Sequence, residues 1–487
     1  MPPTESPTWS EEDWRESILR HQLGVKAETI TRLARKLEHI GDFPTDTPSK
    51  LSQLIRHSAK ILSNNLETTP SDQLKNLNVL LCSIAEHLRF VERSRIANTP
   101  WSMVQGTEQF LKRQTNSSTD FIIRPQWSYN YSLLGEFVEA YRTSLQGLEW
   151  IPIESWEASI GTLAHERIYC ISFPRIERLN CLLHANWGHE VGHIIAKEWI
   201  DNHFDQLWQS EETQIRKSIR KEIDKNPPPV VPLFQDTLIQ EMTAEQVNNA
   251  MQVAKQGLTE LICDAIGVHL LGPAALAAAI EFSAPLSLDE NPLACDMYPP
   301  WRYRIRLMLE LCEHDLQKHT LEFDNAEVEY PGPVIEPFWN WLKETTYLVQ
   351  NTADKASLNS KISTREAYRV IEAKWQQVRQ QALQLLPDKS TEPYRLFKRV
   401  CYIQDLVKKL EQDTPPNEVG HWPNNSPAPL EDILNTAWIF KITRVHPDSG
   451  WGTPDDFEKL FRLVLKAIEA SFVHRTYGAK LKTLEQQ

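Results

Sequence analysis

The chain has no surplus of basic charge. Its 52 lysines and arginines are outnumbered by 65 aspartates and glutamates, giving a net charge of −13. That balance argues against general binding to nucleic acid or to an anionic membrane, because both require a basic face. The local exception, Arg216, Lys217, Arg220, Lys221 and Lys225, has the spacing of a solvated helix face. A long apolar run is also missing. The most apolar stretch, LLGPAALAAAI (270–280), contains Gly272 and Pro273 and falls far short of the ~20 residues a membrane span needs. The N-terminus, MPPTESPTWSEEDW, has neither the basic start nor the apolar stretch of a secretion signal. The 7 cysteines are odd in number and follow no spacing pattern, which fits reduced thiols better than a disulfide framework. No internal repeat or low-complexity tract is visible. These absences lead us to expect a soluble, cytoplasmic protein with no nucleic-acid partner and no membrane partner.

What is present is ordinary globular material: 41% hydrophobic and 24% charged residues, enough for a large core. A length of 487 residues exceeds one compact core and suggests two or three domains. From Glu11 to Gln114 the sequence reads as helix. ITRLARKLEHI and LNVLLCSIAEHLRFVERSRI carry apolar residues three and four apart, and breakers such as FPTDTPSK (43–50) separate them. FIIR (121–124) and RIYCISF (167–173) read as short strands. WSYNYSLLGEFVEAYRTSL between them reads as a helix entered through a turn. NPPPVVP (226–232) reads as a stiff extended connector, and a further helix runs from about Ala244 to Leu271. From Tyr330 onward helices return, broken by the loop DTPPNEVGHWPNNSPAP (413–429). The expected fold is α+β and predominantly helical. It has an N-terminal helical region (1–118), a central part with a small sheet (119–325, with an inserted segment at about 206–243) and a C-terminal helical region (326–487). The 16 tryptophans suit large aromatic cores and a peptide groove equally well.

One stretch, HANWGHEVGHIIAKEWI (184–200), carries chemistry. Residues four apart stack on one face of an α-helix, so His189 and His193 can present two imidazoles to one tetrahedral cation. Glu190 is turned about 100° from His189 and is better placed to reach a water on that cation than to be a ligand. This is the mechanical reason that H-E-x-x-H suits a zinc hydrolase. The plain alternative is two structural histidines on a packed helix. A third ligand decides between them. Ala196 and Trp199 stand where a metzincin would have glycine and histidine, and His203 has no standard spacing. LTELICDAIGVHLLGPA (258–274) is more promising, because Glu260 and Asp264 are four apart on an otherwise apolar helix. Buried carboxylates need a partner or a metal. Glu260 as third ligand and Asp264 as acceptor for a ligand histidine's N–H would satisfy both. The alternative for this pair is two surface acids.

These residues resemble the gluzincin metallopeptidases, whose hallmark is H-E-x-x-H on one helix and E-x-x-x-D on the next. The resemblance covers about residues 165–310. It implies a gluzincin-like core binding one zinc per chain through His189, His193 and Glu260, with Glu190 as general base and Asp264 orienting a histidine. RIYCISFPRIERLN (167–180) looks like that family's substrate-aligning edge strand. YPPWRYRIRLMLE, from Tyr298, is similar to the His-Pro…Arg segment of the gluzincins related to CAAX prenyl proteases. By that likeness Tyr298 would take the place of a histidine that stabilises the transition state. The sequence departs from that subgroup in lacking transmembrane helices and in its long, proline-interrupted segment between His193 and Glu260.

The implied activity is hydrolysis of peptide bonds by a zinc-activated water, in a narrow-specificity processing or signalling protease acting on a peptide or protein substrate. A regulatory protein partner could engage the helical flanks. The alternative is a catalytically silent scaffold of the same fold, which would not need Glu190. Arg302, Arg304 or Arg306 either holds a substrate carboxylate or pairs with helix acids. Cys263 is either an inhibitory thiol or a packing residue. His269, nine residues beyond Glu260, is a fallback ligand.

Overall fold

The computed structural model describes residues 11–115, 118–225, 227, 232–285, 297–322, 334–350, 361–387, 392–420, 425–444 and 452–485. The chain divides into two compact units, one within Met1–Glu108 and Asn116–Arg178, the other within Gln109–Thr115 and Leu179–Gln487. This differs from the three-part reading: the small sheet belongs with the N-terminal helices, and the two motif helices belong with the C-terminal ones.

The first unit begins with α1 (Glu11–Glu38), α2 (Thr47–Asn64) and α3 (Leu74–Arg93), followed by α4 (Trp101–Gln114), in which the division between units falls. Leu23, Ala27, Ile30, Ala34 and Leu37 of α1 are all buried. They recur every three or four residues, as one face of a helix must, and meet Leu51, Leu54 and Ile55 of α2 and Leu77, Leu81 and Ile84 of α3 in one core. Strands β1 (Thr119–Gln126), β2 (Ser132–Leu134) and β3 (Arg167–Pro174), with α5 (Phe137–Gln146) and α6 (Ile153–Ile160), complete it. β1 runs parallel to β3 from Thr119↔Arg167 to Gln126↔Pro174. A parallel pair needs a crossover, and residues 127–166 supply it.

Two expectations change here. The stretch read as a turn leading into a helix (127–145) also contains β2, paired antiparallel to β3 at Ser132↔Ser172 and Leu134↔Cys170, between that turn and α5. The Glu136 side chain caps α5 by accepting from the N–H groups of Val138 and Glu139. Nor is 167–174 an edge strand. The sheet order is β1-β3-β2, and every residue from Ile168 to Pro174 is buried, as fits a strand with neighbours on both sides.

The second unit is a helical assembly: α7 (Trp187–Trp199), α8 (Asp205–Lys225), α9 (Pro232–Leu271), α10 (Pro273–Ser283), α11 (Trp301–Glu322), α12 (Glu336–Gln350), α13 (Ile362–Gln384), α14 (Val400–Glu411), α15 (Leu430–Arg444) and α16 (Pro454–Glu485). Residues 413–429 hold a small antiparallel pair, β4 (Glu418–Val419) with β5 (Ser426–Pro427). The segment read as an insertion is mostly α8 and the first turns of α9. The stiff connector lies largely outside the described residues. Gly272, at φ +60, ends α9, a backbone conformation that favours glycine, and Pro273 opens α10. Trp187, Trp199, Trp339 and Trp438 are buried in this unit and Trp156 in the other, so these tryptophans serve cores. The whole is predominantly helical with one small three-stranded sheet. Among the described residues no helix is long and apolar enough to cross a membrane.

Candidate metal centre

α7 and α9 cross at unusually short range because glycines line the contact. A Cβ on Gly192 would stand 2.6 Å from Cys263 Cα, and one on Gly188 would stand 3.1 Å from Gly267 Cα. Gly267 in turn lies under the backbone of His189, where a Cβ would be 3.2 Å from its nitrogen. At Gly192 a side chain would force the backbones apart, and at Gly188 and Gly267 it would fit only if the neighbouring backbone gave way by a few tenths of an ångström. The two motif helices are thereby brought together with Glu260, Cys263, Asp264 and Gly267 on the face of α9 that meets α7.

The side chains at the crossing form one polar network. His189 Nδ1 lies 2.8 Å from Asp264 Oδ1. Arg304 grips the same carboxylate from α11, with Nε donating to Oδ2 at 2.8 Å and Nη2 to Oδ1 at 2.7 Å. Arg304 Nη2 also comes within 3.3 Å of His189 Nδ1. The ionised Asp264 carboxylate can only accept, so in the 2.8 Å contact Nδ1 is the donor and carries a proton, and Arg304 Nη2 and Nδ1 are two donors sharing Oδ1. Nε2 is left facing Glu260 Oε2 at 3.5 Å. Arg304 Nη1 lies 3.3 Å from the same Glu260 oxygen, and Gln256 Nε2 donates to Glu260 Oε1 at 3.1 Å. The ring of His193 sits 5.0 Å from that of His189, edge to face.

Electrostatics follow from burial. Glu190, Glu260, Asp264 and Arg304 are each 4% exposed. Burial alone would drive protons onto the acids. Against it, the hydrogen bond from His189 and the field of Arg304 bring Glu260 down to about 2. Asp264 lies below the usual carboxylate range, because Arg304 and His189 outweigh its burial. Burial opposes charge on His189 too, yet its bonds to Asp264 and Glu260 hold its pKa up to about 9. His193 lacks such support, and burial, with His189 beside it, lowers it to about 4. Burial raises the Cys263 thiol, and the carboxylates of Glu260, Asp264 and Glu190 push the same way.

The donor set suits a divalent cation. Three buried carboxylates face one guanidinium and a His189 whose pKa is held up to about 9, so negative charge is in excess there and a divalent cation would offset it. Asp264 holds His189 Nδ1 in the way that carboxylate partners orient ligand histidines, and His193 stays neutral. Ligand-capable atoms of His189, His193 and Cys263 all lie within 4.8 Å of one another. Zinc accepts imidazole, carboxylate and thiolate alike.

The other residues singled out from the sequence fall as follows. Arg304 does not face solvent to receive a substrate carboxylate. It is buried and locked onto Asp264 and Glu260, the pairing with helix acids that was its alternative. Arg302 is likewise buried, at 7% exposure, and Arg306 lies 3.6 Å from Glu310 and over the Tyr303 ring. Tyr298 is half-buried in the turn before α11. Its neighbour Pro299 packs near Gly257, one turn before Glu260. His269 is not a fallback ligand. Nine residues are two and a half helical turns, so it points away from Glu260, toward a cavity of about 640 Å³ shared with Tyr394, Arg399 and Asp432. Sequence reasoning missed Gln256, although its i, i+4 spacing to Glu260 was a usable signal, and the glycine contacts that set the helix spacing.

Comparison with family models, with curated proteins and with solved structures returns no match.

Proposed function

We propose that this chain is a zinc-dependent peptidase of gluzincin type, with His189, His193 and Glu260 as ligands of one zinc per chain. The observation that carries the reading is the 2.8 Å contact between His189 Nδ1 and Asp264. It ties the H-E-x-x-H helix to the E-x-x-x-D helix and leaves the other ring nitrogen to a metal. Bound zinc would acidify a water in its open position and polarise a substrate carbonyl.

The protein's own groups would do the rest. Glu190 accepts the proton of the attacking water and delivers it to the leaving amine. Asp264 fixes the orientation of His189, and Arg304 fixes Asp264. Tyr298 donates its phenolic O–H to the carbonyl oxygen as negative charge builds there. The helices outside the motif-bearing segment would select the substrate or receive a regulatory protein, which favours a processing or signalling protease over a general degrader.

The test is elemental analysis of purified protein, with peptide hydrolysis measured in parallel. Wild type should hold about one zinc per chain, Glu260→Ala should lose most of it, and Glu190→Gln should keep zinc but not cleave. Wild type purified without chelator and lacking zinc would end the proposal. A protein that digests unrelated unfolded chains would end the narrow-specificity part alone.

A further inference from the structure

Cys263 is the group at the crossing with no role in the hydrolytic reading. Its position is nevertheless fixed, because its backbone lies against Gly192, between the two histidines of α7. Its sulfur belongs to the trio of donor atoms within 4.8 Å of one another. Tetrahedral zinc, with bonds of about 2.0 Å to nitrogen and about 2.3 Å to sulfur, needs its ligand atoms roughly 3.5 Å apart. Side-chain adjustments on the order of an ångström would therefore bring this trio onto one ion.

The hydrogen bonds divide the site in a telling way. Glu260 is served by Arg304 and Gln256, and Asp264 by Arg304 and His189. Among the described residues, neither His193 nor Cys263 has a hydrogen bond to the protein, and Cys263 is fully buried. A buried polar group without a partner is costly. For Cys263 a shared cation would supply that partner, and the half-buried His193 beside it offers a donor atom to the same ion.

We propose that Cys263 is a fourth protein ligand, so that the resting site is closed and latent. The inference rests on the zinc reading above and adds its regulation. With two imidazoles, one carboxylate and one thiolate, zinc has the full coordination of a structural site and no place for water. On binding, the thiol gives its proton to solvent. On opening, a water takes the position of the sulfur and the thiolate is reprotonated, with no change of oxidation state. The same chain thus passes between a closed centre and a hydrolytic one according to whether this sulfur is bound.

The experiment uses the full-length protein with cobalt(II) in place of zinc, and Cys263→Ser as the variant. Wild type should take up one cobalt and show a thiolate-to-cobalt charge-transfer absorption in the near ultraviolet. Cys263→Ser should keep the cobalt, lose that absorption and hydrolyse peptides faster. X-ray absorption at the zinc edge of wild type needs no variant, and it should show one sulfur at about 2.3 Å among lighter ligands. One bound metal with no sulfur in either measurement would overturn the inference and leave the zinc peptidase standing. Absence of any bound metal would overturn both.

Discussion

Gly192 of the histidine helix and Cys263 of the acidic helix are packed so closely that a methyl group on the glycine would sit 2.6 Å from the cysteine's Cα. The contact is backbone on backbone, so no side chain can swing aside to relieve it. In an ordinary helix Gly→Ala stabilises by about 1 kcal/mol. Here the sign should reverse. Gly192→Ala is expected to destabilise by roughly 1–3 kcal/mol through overpacking and to spread His189 and His193 away from Glu260. Thermal melts and zinc titration on the same variant check both effects. Gly257→Ala is the control, because its new methyl would meet the flexible tip of Ile371 at 2.9 Å and Pro299 only at an ordinary contact distance of 3.9 Å. A Gly192→Ala protein as stable as wild type, with zinc affinity unchanged, would contradict the close-crossing account.

Asp264 and Arg304 make a two-bond pair at the centre of the site, and the two should fail differently. Asp264→Asn keeps the shape but weakens the acceptor for His189 Nδ1, so zinc affinity should fall by about 10–100-fold in competition with a chelator of known strength. Arg304→Met removes the buried cation that compensates Asp264 and Glu260. Stranding buried charge costs about 3–5 kcal/mol. The loss should show in the melting temperature of the chelated protein and shrink when zinc is restored, because the ion supplies the missing positive charge. A purely substrate-binding Arg304 would instead raise KM and leave the melting temperature alone.

The motif residues were legible because their logic is local. Spacings of four on a helix place His189 over His193 and Glu260 over Asp264, whatever the rest of the chain does. The helical stripes of α1 and α3 were legible for the same reason. What escaped depends on contacts between distant segments. That 167–174 lies inside the sheet follows from β2, whose three residues are too short to show a period. That Arg304 turns inward depends on the register of α11 against α9, more than thirty residues away in sequence. The error at His269 was of another kind. The helical period alone puts it opposite Glu260, and the structure shows where it points instead.

His269 and His193 therefore offer a clean contrast. His193→Ala should abolish zinc binding at one equivalent, because it removes a first ligand from the crossing. His269→Ala should leave the stoichiometry at one and the affinity within about twofold of wild type, since the ring faces the cavity beside Tyr394 and Asp432. Isothermal titration of both variants reads this directly. Loss of zinc from His269→Ala, with its fold intact by circular dichroism, would mean that α9 presents a different face than described.

In the other compact unit, His87 of α3 should make stability depend on pH. Its ring packs edge-on against Phe137, at 4.8 Å, and beside Phe90, at 5.4 Å. Nδ1 lies 2.6 Å from the Tyr141 hydroxyl, which a neutral imidazole can accept. Burial among these rings pushes its pKa down to about 4, against about 6.5 in an unfolded chain. Between those values the unfolded state binds more protons than the folded one, so stability is full above pH ~6.5 and falls as the solution is acidified toward pH ~4. Allowing for partial solvent screening at this half-buried site, acidification from pH ~7 to pH ~5 should cost about 1–2 kcal/mol through this residue. Denaturant unfolding at both values, on wild type and His87→Gln, isolates the term, since other titrating groups contribute to both proteins alike. The glutamine variant should lose less on acidification by that amount. Parallel losses in the two would show that His87 is already charged, or already solvated, in the folded chain.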